Sequence, residues 1–233
     1  MSTTSPSATQ VTAVIAARNE APSIGGIVGR ARPFCARVLV VDGRSIDDTA
    51  AIARAAGADV IVQDGPMGKG AALRCAIARV TTPVTVFLDA DGSHVPEDIP
   101  LVVAPIVSGQ ADHVGASRLI GGSSELHGGF DEFMRLAGSS FITACINRRF
   151  GVRLSDSQNG FRALRTELLQ RLRLCENTTT IEQEMIIKTL KAGGRVAEVP
   201  SHEHRRCHGV SHIRVWRAAP RYVYSVARDL LLP

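Results

Sequence analysis

The sequence predicts a single α/β domain whose mostly parallel central sheet is flanked by helices. With 233 residues, the chain can bury a core of its own and has the length of one domain. Hydrophobic residues make up 45% of the chain and charged residues 21%, as in ordinary globular proteins. Between residues 11 and 91, short β-rich runs alternate with helix-like segments, which is the order that builds parallel strands joined by crossover helices.

The first half of the chain predicts four strands and three helices. The β-rich runs occupy residues 11–17, 37–42, 58–62 and 84–89, and the helical patterns occupy residues 21–31, 47–56 and 69–80. Asp47 or Asp48 suits the N-cap of the second helix, and Gly57 suits its end. This arrangement is typical of a nucleotide-binding sheet.

The second half continues the pattern without a linker or an internal repeat. A helix is predicted from Pro96 to about Ser108, and a strand at residues 112–116. After a glycine-rich loop we expect a long helix at about 130–149, a helix near 181–192 and a strand near 196–199. Because nothing separates the two halves, we expect them to share one sheet.

The ends and the cysteines indicate a cytoplasmic protein. Residues 1–10 are rich in Ser and Thr and resemble a loose tail rather than a signal peptide. The longest apolar runs, such as residues 11–17 and 101–107, fall short of the roughly 18 residues that a membrane-spanning helix needs. The five cysteines show no CxxC spacing, which suits reduced thiols better than disulfides or a zinc site.

Positive charge is concentrated near the C-terminus. The formal charge is +5, and residues 201–233 hold six Arg against Glu203 and Asp229, a local charge of +4. Residues 211–233 form a basic amphipathic helical pattern, with Val223, Ala227 and Leu230 on its apolar side. Core packing and contact with an anionic membrane surface explain this pattern equally well. Scarce, scattered aromatic residues argue against nucleic acid as a partner.

Two carboxylates follow the fourth predicted strand directly. Asp89 and Asp91 flank Ala90 at the carboxyl end of this strand, the edge of a parallel sheet where ligands bind. Two such carboxylates can present oxygens to one hard cation, Mg²⁺ or Mn²⁺, which in turn neutralises a diphosphate. Asp42 ends the second strand at the same edge and could hydrogen-bond a base or ribose.

Several ordered motifs resemble glycosyltransferase family 2. They are residues 17–20 (ARNE), 40–49 (VVDGRSIDDT), 68–73 (GKGAAL) and 89–91 (DAD). Further segments narrow the resemblance to the dolichol-phosphate mannose synthase group: residues 92–98 (GSHVPED), 115–118 (GASR) and 156–162 (DSQNGFR). The resemblance extends over nearly the whole chain from residue 11 to residue 213.

The resemblance implies a GT-A fold and an inverting, metal-dependent transfer of a hexose. The implied donor is a nucleotide-sugar of the GDP-mannose or UDP-glucose type, bound by residues 11–95. The implied acceptor is a polyprenyl phosphate or another phosphate-bearing molecule, bound by residues 96–210. Such an enzyme would work in the cytoplasm, at the inner face of the membrane where the acceptor is a lipid. The sequence leaves open whether the chain forms a homo-oligomer.

The resemblance also implies a set of site residues. Asp91, Asp156 and Gln158 match positions near the reacting groups, and Arg118, Arg135 and Ser139 match the acceptor side. Guanidinium groups suit phosphate binding because they offer forked hydrogen-bond donors. The donor-binding set comprises Ala16, Arg18, Glu20, Asp42, Arg44, Lys69, Asp89, Ala90, Asp91, Arg206 and His212, with Asp89 and Asp91 as metal ligands.

Some positions depart from the family pattern. His212 replaces the lysine that ends the loop at residues 206–212, which weakens phosphate binding when the imidazole is neutral. Gly43 stands where a second acidic residue is usual, Ala16 where proline is usual, and Ser93 where a longer polar residue is common. These departures leave the preferred nucleotide open.

The sequence leaves open the same transfer to a soluble acceptor, and three other functions fit it less well. A sugar nucleotidyltransferase would show a GxGxR signature near the first strand, and a dehydrogenase would show GxGxxG there; neither motif is present. An inert binding protein would not be expected to retain Asp89, Asp91, Arg118, Gln158 and Arg206.

Overall fold

A computed structural model describes residues 10–124, 130–206 and 215–231 of the chain. Within these residues, seven strands form one sheet in the order β3-β2-β1-β4-β6-β5-β7. The strands are β1 (Val11–Ala17), β2 (Arg37–Asp42), β3 (Asp59–Val62), β4 (Val84–Asp89), β5 (His113–Ser117), β6 (Arg162–Arg165) and β7 (Val196–Pro200). All neighbouring strands are parallel except that β6 runs antiparallel to both β4 and β5.

Helices cover both faces of this sheet. They are α1 (Ala21–Ala31), α2 (Thr49–Ala55), α3 (Lys69–Ile77), α4 (Ile99–Val107), α5 (Arg118–Gly121), α6 (Phe130–Phe150), α7 (Thr166–Arg171), α8 (Ile181–Lys191) and α9 (Val215–Leu231). Short 3₁₀ turns at Arg32–Phe34 and Pro96–Asp98 follow α1 and precede α4.

The two faces of the sheet carry separate apolar clusters. Along β1, Ala13 and Ile15 face the layer of α1 and α4, whereas Val14 faces the layer of α3 and α8. This alternation follows from the two-residue period of a strand. A third cluster joins α6, α8 and α9 through Ile146, Ile187 and Val226. The fold is therefore a three-layer α/β domain, and both halves of the chain share its sheet as predicted.

The predicted strands and helices are present, with small shifts at their ends, but β6 was not predicted. This strand has four residues, and arginines stand at both of its ends, so it carries no apolar run. Arg162 is nevertheless 1% exposed, because its guanidinium donates to the carbonyl oxygens of Glu182 and Asn159. The helices α5 and α7 were also missed, since each is six residues or shorter.

The C-terminal helix α9 packs on the domain by a side that only partly overlaps the predicted one, since Leu230 packs against the third cluster as expected. Val223, which the sequence places on the apolar side, is 59% exposed, whereas Val226 is 7% exposed and joins the third cluster. Ion pairs draw the basic side inward, with Arg228 at 2.9 Å and Arg221 at 3.5 Å from the Glu176 carboxylate. Arg221 and Arg228, two of the basic residues of this helix, thus form ion pairs within the domain.

Among the described residues, no helix is both long and apolar enough to cross a membrane. Two of the predicted features, the N-terminal tail at residues 1–9 and His212, lie outside the described residues.

Candidate active site

A cavity of about 510 Å³ opens at the carboxyl ends of β1 and β4 and extends to α6 and α9. It brings together most of the side chains that the sequence singles out. The predicted residues that line it are Ala16, Arg18, Glu20, Lys69, Asp89, Ala90, Asp91, Arg118, Arg135, Ser139, Gln158 and Arg206.

Asp89 lies in a chain of alternating charges. The Lys69 Nζ atom is 2.5 Å from Asp89 Oδ1 and 2.7 Å from Glu182 Oε1. Burial opposes the charge on Lys69, but the two carboxylates outweigh it and raise the pKa of Lys69. Burial likewise opposes the charge on Asp89, and the nearby Lys69 outweighs it, so the pKa of Asp89 is held well below its usual range. Both groups are therefore charged at neutral pH.

Asp91 has different partners from those of Asp89. Its Oδ1 atom accepts hydrogen bonds from the backbone N–H and the hydroxyl of Ser93, at 3.0 and 2.6 Å. Its Oδ2 atom is 3.3 Å from Arg206 Nη1. Arg206 thus lies beside the carboxylate that the sequence assigns to the metal.

The donor set at Asp89 and Asp91 fits a hard divalent cation. Both carboxylates line the cavity, and Gly160 leaves the approach to Asp89 open, since a Cβ atom there would lie 2.9 Å from Asp89 Oδ2. The described residues contain no group of three or more His, Cys, Asp or Glu placed to hold a metal. Two protein carboxylates leave room for phosphate oxygens and water, the way in which Mg²⁺ is commonly bound beside phosphates.

Glu20 extends the acidic edge of the cavity. Its carboxylate accepts a hydrogen bond from Ser23 Oγ at 3.1 Å, and the same hydroxyl lies 2.6 Å from the carbonyl oxygen of Ala90. Burial is the main reason why the pKa of Glu20 is raised, and the negative charge of Asp91 adds to it. The end of β1 is thereby tied to the loop that follows β4.

Asp42 and Arg44 do not line the cavity. Asp42 is buried and accepts a hydrogen bond from the backbone N–H of Ser45 at 3.3 Å. The Arg44 guanidinium donates to the carbonyl oxygens of Gln63 and Gly65 at 3.3 and 3.1 Å. Gly43 lines the cavity instead, and a Cβ atom there would lie 3.2 Å from Arg18 Cβ. A side chain at position 43 would therefore crowd Arg18.

Arg118, which the sequence assigns to the acceptor, lies between two carboxylates. Its Nε atom is 2.8 Å from Asp156 Oδ2, and its Nη1 atom is 3.1 Å from Glu203 Oε1. Burial opposes the charge on Arg118, but Asp156 and Glu203 raise its pKa. Asp156 itself has a fully buried side chain and does not line the cavity. Asp156 is therefore connected to the cavity through its ion pair with Arg118.

The remaining acceptor-side residues lie on α6 and in the loop before β6. Arg135 lines the cavity, and its buried Nε atom has no hydrogen-bond partner among the described residues. Ser139 lies one helical turn further on and also lines the cavity. Gln158 donates to Ser157 Oγ at 3.0 Å and faces the same space.

The cavity residues that were not predicted from the sequence include Glu182, Glu203 and Tyr222. Glu182 is buried, and its Oε2 atom has no hydrogen-bond partner among the described residues. The sequence held a weak signal here, because Glu182 and Glu184 are spaced two residues apart and so cannot share one solvated helix face. Tyr222 reaches the cavity from α9, and its hydroxyl lies 2.6 Å from Thr179 Oγ1.

The end of the cavity between α6 and α9 is mostly apolar, although Arg135 and Ser139 of α6 and Tyr222 of α9 also line it. Its apolar side chains are Met134, Leu136, Phe141, Ile142, Ala219 and Val223. Phe141 and Val223 are 65% and 59% exposed, so this end opens to the surface. One continuous cavity therefore joins a charged end at β4 to an open apolar end.

Comparisons with known proteins agree with this architecture. The family model for glycosyl transferase family 2 matches residues 12–173. A glycosyltransferase of Haloferax volcanii, AglJ, is 31% identical over 82% of this chain, which spans 62% of that protein's length. A dolichyl-phosphate hexose transferase of the same organism is 34% identical over 80% of this chain and 79% of its own. A polyprenol monophosphomannose synthase of Mycolicibacterium smegmatis is 32% identical over 85% and 78%.

Solved structures show the same fold. Glucosyl-3-phosphoglycerate synthase of Mycobacterium tuberculosis, in complex with Mn²⁺, UDP-glucose and phosphoglyceric acid, superimposes with a TM-score of 0.78. The match covers 96% of this chain and 80% of that one at 23% sequence identity. The family match and the relatives above 30% identity show that the chain belongs to glycosyl transferase family 2, in its dolichol-phosphate mannose synthase-like group, and is a glycosyltransferase with a GT-A fold.

Proposed function

We propose that the chain transfers a hexose, with inversion, from a nucleotide-sugar to a polyprenyl phosphate. The observation that carries this proposal is the single cavity with a charged end beside Asp89 and Asp91 and an apolar end between α6 and α9. A lipid phosphate combines a charged phosphate group with an apolar hydrocarbon chain in one molecule. GDP-mannose and UDP-glucose are the donor types to consider, because the relatives are named as hexose or mannose transferases.

The donor diphosphate belongs at the charged end. The described cavity side chains include five acids and five bases: Glu20, Asp89, Asp91, Glu182, Glu203, Arg18, Lys69, Arg118, Arg135 and Arg206. Because these charges balance, a diphosphate needs additional positive charge, which Mg²⁺ or Mn²⁺ held by Asp89 and Asp91 supplies. Arg206 Nη1 lies 3.3 Å from Asp91 Oδ2. Its guanidinium would contact the diphosphate on the side away from the metal.

The acceptor phosphate belongs beside Arg118, Arg135 and Ser139. Arg135 and Ser139 both line the cavity, one helical turn apart on α6. A phosphate oxygen attacks the anomeric carbon while the bond from that carbon to the leaving diphosphate breaks, so configuration inverts. The acceptor is already an anion near neutral pH and has no need of a strong base. Gln158 lies near the attacking group, and Asp156 acts as a positioning residue through Arg118.

The apolar end favours a lipid acceptor over a soluble one. Burying a hydrocarbon chain against Phe141 and Val223 contributes about 25 cal/mol per Å² of apolar surface. Such an acceptor places the protein at the cytoplasmic face of a membrane as a peripheral enzyme. In this proposal residues 11–95 bind the donor and residues 96–210 bind the acceptor, while α9 completes the apolar end.

A matrix of donors and acceptors tests the proposal. GDP-mannose and UDP-glucose are each incubated with farnesyl phosphate or 3-phosphoglycerate, in Mn²⁺, in Mg²⁺ and in a chelator, and products are identified by mass. We expect a hexosyl farnesyl phosphate that forms only when a divalent ion is present. Transfer to phosphoglycerate alone would make the acceptor soluble, and release of pyrophosphate from a nucleoside triphosphate and sugar phosphate would indicate a nucleotidyltransferase.

A further inference from the structure

Glu203 forms an ion pair with Arg118, the residue that would bind the acceptor phosphate in the proposed function. Its Oε1 atom lies 3.1 Å from Arg118 Nη1, on the cavity wall. Asp156 already contacts the Nε edge of the same guanidinium at 2.8 Å. The exposed fractions of the side chains of Arg118, Asp156 and Glu203 are 18%, 0% and 9%, so this contact is shielded from bulk water.

The backbone and a neighbouring hydroxyl fix Glu203 in this place. Its Oε2 atom accepts a hydrogen bond from Ser123 Oγ at 2.9 Å. Its N–H donates to the Gly122 carbonyl at 3.0 Å, and its own carbonyl accepts from the Ser124 N–H at 2.7 Å. These hydrogen bonds therefore hold the Glu203 carboxylate beside Arg118.

The Glu203 carboxylate changes the net charge that an incoming anion encounters at Arg118. Arg118 and Asp156 alone form a neutral pair, and Glu203 gives the three residues a net charge of −1. An incoming phosphate must take the place of Glu203 at Nη1 and overcome this charge. The cost is the same for every anion, but only an anion with a hydrocarbon chain gains contacts at the apolar end to offset it.

We propose that Glu203 competes with the acceptor phosphate for Arg118 and weakens the binding of every phosphate at the acceptor site. The inference rests on the proposed function, in which Arg118 receives that phosphate. Glu203 raises the dissociation constants of inorganic phosphate and of a lipid phosphate alike, and only the lipid phosphate offsets this loss through contacts at the apolar end. The alternative is that Glu203 merely orients Arg118, and the two roles predict opposite effects when the charge is removed.

Binding measurements without any donor separate these roles. Titration calorimetry gives the dissociation constants of inorganic phosphate and farnesyl phosphate for the wild type and Glu203→Gln, whose amide oxygen can still accept from Ser123. We expect both constants to fall by a similar factor of about ten, since one like charge is removed from a shielded site. Glu97→Gln is the matched control, because Glu97 pairs with Arg30 in an exposed ion pair on the outer surface.

A second variant ties the effect to Arg118. In Arg118→Gln/Glu203→Gln, the gain in phosphate affinity should disappear, and thermal unfolding of each variant checks that the fold is retained. Unchanged or weaker phosphate binding by Glu203→Gln overturns the inference, as does the absence of phosphate binding in every variant. Tighter binding by Glu203→Gln without sugar transfer by the wild type would support the inference and refute the proposed function.

Discussion

Asp89 and Asp91 stand two residues apart, yet their surroundings prepare them for different tasks. Lys69 forms ion pairs with both Asp89 and Glu182, so a positive charge of the protein already neutralises the Asp89 carboxylate. Asp91 faces Arg206, whose side chain is 30% exposed, at 3.3 Å. A weaker, more exposed pairing is easier to exchange for a cation. Asp91 is therefore the carboxylate whose loss should be felt most directly in metal binding.

The variant Asp91→Asn tests this role. The amide oxygen can still accept from Ser93, so the loop should remain folded, but one anionic metal ligand is lost. We expect kcat to fall by at least about a thousandfold and Mn²⁺-dependent binding of nucleoside diphosphate to weaken. Asp48→Asn serves as the control, since Asp48 is exposed near the same sheet edge and does not line the cavity. Undiminished turnover in Asp91→Asn would exclude the metal role.

Asp112 gives the stability of the fold a defined pH dependence. Hydrogen bonds from Arg195, together with those from Arg165, lower its pKa to about 2. The pKa in the unfolded chain is about 3.9, so this stabilisation is complete above that pH and is lost as the pH falls towards 2. Because both arginines are partly exposed, we expect Asp112→Asn to cost about 1 kcal/mol at pH 7.

Urea unfolding at a series of pH values measures this effect. The difference in unfolding free energy between the wild type and Asp112→Asn should shrink from pH 6 to pH 3. Asp64→Asn provides the comparison, because Asp64 is exposed and accepts only from the neighbouring Gly65 N–H. A difference that stays constant with pH would mean that Asp112 stabilises the fold by something other than its charge.

Sequence alone could predict those site residues whose place at the end of a strand determines where their side chains point. Asp89 and Asp91 follow a buried strand at the ligand-binding edge, and both line the cavity. Asp42 also ends a strand, but neighbouring strand residues point to opposite faces, and at β2 it is Val41 that faces the cavity. The burial of Asp156 beneath Arg118 depends on contacts across the fold, which no local pattern reveals.

Among the elements, α9 shows why a helical wheel alone does not determine which side packs. Both Val223 and Val226 are apolar, and the wheel favours Val223. In the structure Arg221 and Arg228 pair with Glu176, and Val226 is the valine that enters the cluster with Ile146. The strands were easier to predict, because their apolar runs are buried on both faces.

A matched pair of valines on α9 tests this packing. Val226→Ala should lower the free energy of unfolding by about 2 kcal/mol, since it removes two methyl groups from a site that is 7% exposed. Val223→Ala, on the same helix at 59% exposure, should change it by less than about 0.5 kcal/mol. Chemical denaturation measures both values. Equal losses, or a larger loss at Val223, would show that α9 packs by the side that the wheel indicates.

For the molecule as a whole, the cavity joins two sets of elements with different chemistry. The ends of β1 and β4 contribute charged groups that include Arg18, Asp89 and Asp91, and α6 with α9 contributes most of the apolar side chains. The family model ends at residue 173, before α9 begins, so the apolar end is completed by a part of the chain beyond that match. Its contribution to acceptor choice can therefore be separated from the transfer chemistry at Asp89 and Asp91.

Two phenylalanines of α6 allow this separation. Phe133 and Phe141 are 64% and 65% exposed on the same helix, but only Phe141 lines the cavity. If the apolar end holds the hydrocarbon chain of the acceptor, Phe141→Ala should lower kcat/KM for a long-chain polyprenyl phosphate by about tenfold, because apolar contact with the ligand is lost. For a phosphate whose chain is too short to reach Phe141, kcat/KM should stay near the wild-type value. Phe133→Ala should leave both values unchanged, and equal losses in the two variants would instead indicate a general membrane contact of α6.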